Sequence, residues 1–168
     1  MKMLGMLLIC SASLAAALSV MKTRRERIRS LRSLGRMLEL MEGELSTALS
    51  PIPELVCSLE MKSTGAAGVF LAALNTRMES LGKERFPRLW NDSLRQSLSL
   101  DREDLDALKQ LGSILGQYDL DRQLEAIAQC REHLLRSAER IALDHRQKCR
   151  TGCGVALLSA AMLCIALL

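Results

Sequence analysis

From Ile28 onward the apolar residues recur at intervals of three and four: Ile28, Leu31, Leu34, Leu38, Met41, Leu45 and Leu49. That spacing puts them on one stripe of an α-helix. No proline interrupts the chain between Met21 and Ser50, so one long amphipathic helix is expected there. Ser50-Pro51-Ile52-Pro53 ends it, because each proline pushes its predecessor out of the helical region. A shorter helix restarts near Pro53 with Leu55, Val56, Leu59 and Met61 inward, and Lys62-Ser63-Thr64-Gly65 punctuates it. A helix from Ala66 carries Val69, Phe70, Leu71, Leu74, Met78 and Leu81 up to Gly82, and Phe86 to Leu98 carries Leu89, Trp90 and Leu94. Asp101, with Asp104 three residues later, predicts a capped start favoured by the helix dipole, leading to Leu105, Leu108, Leu111, Ile114 and Leu115. Gly116-Gln117-Tyr118-Asp119 breaks that helix. The last one starts at Asp119 or Asp121 and carries Leu124, Ile127, Leu134, Ala138 and Ile141.

The pattern changes at both ends. Met3 to Met21 and Thr151 to Leu168 contain no charged residue, and as helices each would be about 27–29 Å long, the thickness of a bilayer core. The expectation is an all-α protein: an N-terminal transmembrane helix over 1–21, a bundle of about six helices over 22–150, and a C-terminal transmembrane helix over 151–168. The first and last long helices should lie side by side in that bundle, since both enter one membrane.

Charge sharpens the picture. Lys22 to Arg36 holds seven basic residues against Glu26 alone, and Arg136 to Arg150 holds five against Glu139 and Asp144. The segment between them has a net charge of −6. Basic residues beside a span favour the cytoplasmic side, where they meet anionic headgroups. One topology satisfies both clusters: a cell-membrane protein with two spans and a cytoplasmic domain, its collar made of Arg24, Arg25, Arg27, Arg29, Arg146, Lys148 and Arg150. A signal peptide would carry its charge before the apolar stretch, where only Lys2 and the amino terminus stand. Ala15-Ala16-Ala17 nevertheless offers a cleavage site, so an exported helical adaptor remains the alternative.

Composition excludes several functions. With four aromatics, Phe70, Phe86, Trp90 and Tyr118, the chain lacks the stacking platforms of a single-strand nucleic-acid binder. No phosphate-cradling glycine loop, zinc-protease motif or nucleophile turn occurs. The six cysteines contain no C-x-x-C pair; Cys149 and Cys153 share a helix face, but no ligand set completes a metal site. His133 and His145 are twelve apart, about 18 Å on one helix, too far to share a metal, and are expected to be solvated or near lipid. No catalytic, cofactor-binding or metal residue is assigned; a membrane enzyme using Cys149/Cys153 or His133/His145 is the remaining rival. Acidic residues gather in two places, Glu39, Glu42 and Glu44 and then Asp101, Glu103, Asp104 and Asp106, and Glu42, Glu44, Asp104 and Asp106 are the candidate partner surface.

Two stretches taken together resemble a known family. Leu40-Met41-Glu42-Gly43-Glu44-Leu45 with Ser50-Pro51-Ile52-Pro53-Glu54-Leu55, and Leu115-Gly116-Gln117-Tyr118-Asp119-Leu120-Asp121-Arg122-Gln123, are similar to passages of the stage III sporulation protein AB family of endospore-forming bacteria. Glu44, Pro51, Gly116, Asp119 and Gln123 are its motif positions here. Leu45 stands where the family often has Ile, and Ile52 where Leu is common, both volume-conserving changes. The resemblance covers nearly the whole chain and implies a fold like the cytoplasmic helical domain of the type II secretion inner-membrane platform. It also implies a place in the channel-like complex between mother cell and forespore, on the mother-cell side. The implied partners are the sporulation ATPase (stage III sporulation protein AA), other membrane proteins of that complex, the lipid bilayer and further copies of the chain.

Overall fold

The computed structural model describes residues 2–48 and 51–167, with side chains for 22–47 and 51–143. Six helices account for it: α1 (Lys2–Ala48), α2 (Ile52–Lys62), α3 (Ala66–Met78), α4 (Phe86–Ser97), α5 (Arg102–Ile114) and α6 (Leu120–Leu167). Among the described residues there is no strand. The chain divides into two compact units, Met1–Glu26 with Glu139–Leu168, and Arg27–Ala138. In the first unit both segments are helical. Among the described residues no helix is long and apolar enough to cross a membrane. The side chains of the two spans expected over 1–21 and 151–168 lie outside the described residues.

The second unit holds the apolar core. Leu31, Leu34, Leu38, Met41 and Leu45 of α1 are buried, and Met37 joins them. Ile127, Leu134 and Ala138 of α6 are buried as their spacing predicts, and Cys130 with them. α1 and α6 approach closely: a Cβ on Gly35 would stand 3.1 Å from Leu135 Cδ2. Between these long helices in sequence, α2 packs on α3, α3 on α4 and α4 on α5. Pro51 holds the N-cap position of α2 at φ −57°, ψ 146°, the extended geometry that lets a helix begin just after it.

One end of α3 departs from expectation. α3 stops at Met78 rather than Leu81, because Ser80 and Leu81 N–H bond to the carbonyls three residues back, Arg77 and Met78, and wind the chain into turns. Leu81 is left 39% exposed. α3 also begins without a capping side chain of its own, since its N-cap is Gly65. Ser33 of α1 supplies the cap: its hydroxyl donates to Thr64 O at 2.6 Å and accepts from Ala67 N at 3.2 Å. Met61 and Val69, expected inward, are exposed. Each lies off the stripe actually buried, Leu55/Val56/Leu59 on α2 and Ala67/Phe70/Leu71/Leu74 on α3.

Trp90 organises the α3–α4–α5 side. It is fully buried, meets Phe70 edge-on at 4.8 Å between centroids, and donates its indole N–H to Leu108 O at 2.8 Å. That bond consumes the polar atom which makes a buried indole costly. The ring also needs Gly112, where a Cβ would fall 2.2 Å from Trp90 Cδ1. Gly112→Ala should therefore destabilise the fold by at least about 1–3 kcal/mol in urea denaturation, the cost of forcing a filled core apart. A Cβ on Gly43 would meet nothing within 4 Å, so Gly43→Ala should be neutral or stabilise by up to about 1 kcal/mol. Equal effects of the two replacements would contradict this packing.

Candidate functional site

The most polar point of the interior is Asp104, 1% exposed in the first turn of α5. Its Oδ2 accepts from Ser137 Oγ of α6 at 3.3 Å and from Arg27 Nη2 of α1 at 3.5 Å. Its Oδ1 lies 3.2 Å from His133 Nε2, but the two buried atoms are not aligned as a hydrogen bond and have no other partner. Arg27 pairs with Asp101 as well. Burial lowers the Arg27 pKa, but the hydrogen bonds and charges of Asp101 and Asp104 more than reverse this and hold it above its ordinary value. The guanidinium therefore stays charged.

This cluster corrects several expectations. Asp104 is interior, so it cannot belong to an exposed partner surface. Asp101 occupies the N-cap position of α5 without a side-chain cap, because its carboxylate turns to Arg27. Arg27 is drawn into the bundle and is unavailable to headgroups, while Arg25 and Arg29 are exposed and Arg24 is half-buried. Arg146, Lys148, Arg150 and His145 lie outside the described side chains, as do Cys149 and Cys153. His133 is not a free solvated histidine; its Nε2 is buried against Asp104. The signal for the cluster was present in the sequence, since Arg27 precedes Leu31, Leu34 and Leu38 by helical steps and Asp104 precedes Leu108, Leu111 and Leu115 in the same way.

The remaining acidic candidates are also engaged. Glu44 Oε1 accepts from Ser58 Oγ at 2.8 Å and Lys62 Nζ at 2.7 Å, tying α1 to α2. Glu42 pairs with Arg131 at 3.3 Å across α1 and α6. Asp106 pairs with Lys109 at 2.7 Å and is 68% exposed.

The motif positions gather at the α1–α2 and α5–α6 connections. Gly116 takes φ 74°, a conformation that side chains resist, and a Cβ there would stand 2.5 Å from Ile52 Cδ1. Gln123 clamps the turn, its Oε1 accepting from Gly116 N at 3.1 Å and its Nε2 donating to Tyr118 O at 2.6 Å. Asp119 Oδ2 accepts from Arg122 N at 3.4 Å at the start of α6. Ile52, beside Pro51, thus meets the turn that Gln123 holds, and two stretches about sixty residues apart build one corner.

Among the described residues no group of three or more His, Cys, Asp or Glu is placed to hold a metal. A groove of about 190 Å³ between α5 and α6 is lined by Ala107, Gln110, Leu111, Ile114 and Cys130, with His133 at its edge. Burial, and secondarily the Asp104 carboxylate, push the Cys130 thiol up to about 12.

These features define an all-α bundle domain in which the buried Asp104 and Ser137 tie one helix to another. The chain belongs to the stage III sporulation protein AB family, whose model matches residues 2–168. It is 25% identical over 137 residues to the stage III sporulation protein AB of Bacillus subtilis (strain 168), covering 80% of each chain. A solved structure of a stage III sporulation protein AB has the same fold, with a TM-score of 0.65 at 23% identity over 73% of this chain and 98% of that one.

Two outcomes test the Asp104 cluster. Asp104→Ala should cost about 3 kcal/mol in urea denaturation, the low end for a broken buried ion pair because Arg27 keeps Asp101, and Arg27→Met/Asp104→Leu together should cost far less. A double variant as unstable as the single one would contradict the pairing. Burial keeps the Cys130 thiol protonated and out of reach, so at pH 8 peptide mapping after iodoacetamide should find Cys57 modified and Cys130 intact until the protein unfolds.

Proposed function

We propose that the protein is a non-enzymatic, membrane-anchored scaffold of the stage III sporulation complex between mother cell and forespore. Two spans, over 1–21 and 151–168, hold the bundle at the inner leaflet on the mother-cell side, and the bundle docks the sporulation ATPase and other membrane proteins of the complex. The observation that carries this reading is the partition of charge. Dense basic runs flank a segment of net charge −6, and each run adjoins a charge-free end long enough to cross a bilayer. Family membership and the relative's name support the sporulation setting. The collar in this reading consists of Arg24, Arg25 and Arg29 with Arg146, Lys148 and Arg150. Of the acidic candidates, Glu42 and Asp106 are the ones accessible enough to meet a basic partner surface.

Reconstituted full chain should capture the purified ATPase in a salt-sensitive manner, and Glu42→Lys with Asp106→Lys should weaken capture about ten-fold while lowering the melting temperature only slightly, the cost of one partly exposed ion pair. Undiminished capture removes these carboxylates from the docking face. In intact sporulating cells a membrane-impermeant maleimide should leave Cys57 unlabelled until permeabilisation, and the mature chain should retain its first residues by mass spectrometry. External labelling, or a chain cut near Ala17, would instead support the exported adaptor.

A further inference from the structure

One exposed face of α1 is basic well beyond the collar. Arg29, Arg32 and Arg36 are all exposed and follow one another at helical steps of three and four. None of the three makes an ion pair among the described residues, although Glu26 and Glu39 flank them in sequence. The row continues to Leu40, four residues after Arg36 and 38% exposed. Beside Arg36 lies a recess of about 100 Å³, lined by Ser33, Arg36, Leu40, Lys62, Ser63 and Thr64. Lys62 is already matched by Glu44, and Ser63 Oγ is buried without a hydrogen-bond partner. A helix face with two unmatched guanidiniums beyond the collar, Arg32 and Arg36, an unmatched hydroxyl and an adjoining apolar residue is complementary to carboxylates carried on an amphipathic helix.

We propose that Arg32, Arg36 and the recess beside them form a docking site for an acidic amphipathic helix of a partner protein. Carboxylates four residues apart on that helix pair with Arg32 and Arg36, and an apolar neighbour rests on Leu40. Arginine suits the task because its planar fork binds a carboxylate through two hydrogen bonds.

The test uses the full chain in neutral phosphatidylcholine nanodiscs and a fluorescent helical peptide with glutamates at steps of three and four and one leucine stripe. The wild type should bind it, at least ten-fold more weakly at 300 mM than at 50 mM salt. Arg32→Gln/Arg36→Gln should weaken binding at least ten-fold, with unchanged helical circular dichroism and melting temperature, while Arg95→Gln/Arg102→Gln, exposed elsewhere, leaves it unchanged. Absence of wild-type binding, or equal binding by the Arg32/Arg36 variant, overturns the proposal. So does loss of peptide binding when about 30% phosphatidylserine is added, which would assign the face to lipid. Self-association of the wild type that disappears in the double variant would assign it to a second copy and likewise overturn the proposal.

Discussion

The interior depends on how three apolar stripes are finished. In α1 and α5 the buried row begins on a charged residue, Arg27 ahead of Leu31 and Asp104 ahead of Leu108, and in α6 it carries Ser137 between Leu134 and Ala138. A charge placed on a core-facing row has to find its counter-charge inside the same core or keep the helix from packing. Here Arg27 and Ser137 converge on the Asp104 carboxylate, and that convergence ties α5 to both long helices. The contacts are long, at 3.3 and 3.5 Å, so the cluster adds little net stability. Its effect is on register, because shifting any one helix by a residue would bury an unpaired charge.

A second tie closes the opposite connections. Glu44 fixes α1 to α2, and Gln123 shapes the turn whose Gly116 leaves room for Ile52. These residues are the ones through which the chain resembles its family, and each is used for geometry: an extended start at Pro51, a left-handed turn at Gly116, a side-chain clamp at Gln123.

Helix existence was legible because the period of three and four is strong and the breakers, Pro51, Gly82 and Gly116, are unambiguous. Most core positions followed from the same period, as Leu31, Leu34, Leu38 and Leu134 illustrate. What escaped was tertiary. Arg27 read as one more collar charge because its neighbours are basic, and Asp104 read as a surface acid because helix starts favour acids. Only the stripe phase separates the two readings: each of these residues stands one helical turn ahead of a buried leucine, Leu31 or Leu108. The contact between Gly112 and Trp90 had no local signal, since glycine inside a helix says nothing about which ring will approach it. The same holds for Ser33, a small polar residue in a long helix whose partner lies thirty-one residues away at Thr64.

The borrowed cap on α3 bears on how the chain reaches its native state. A helix of thirteen residues whose Ala67 amide is satisfied by a hydroxyl from elsewhere has little reason to form by itself. α3 therefore relies on α1 for the capping of its first turn. A fragment beginning at α2 would lack the instruction that tells its second helix where to start.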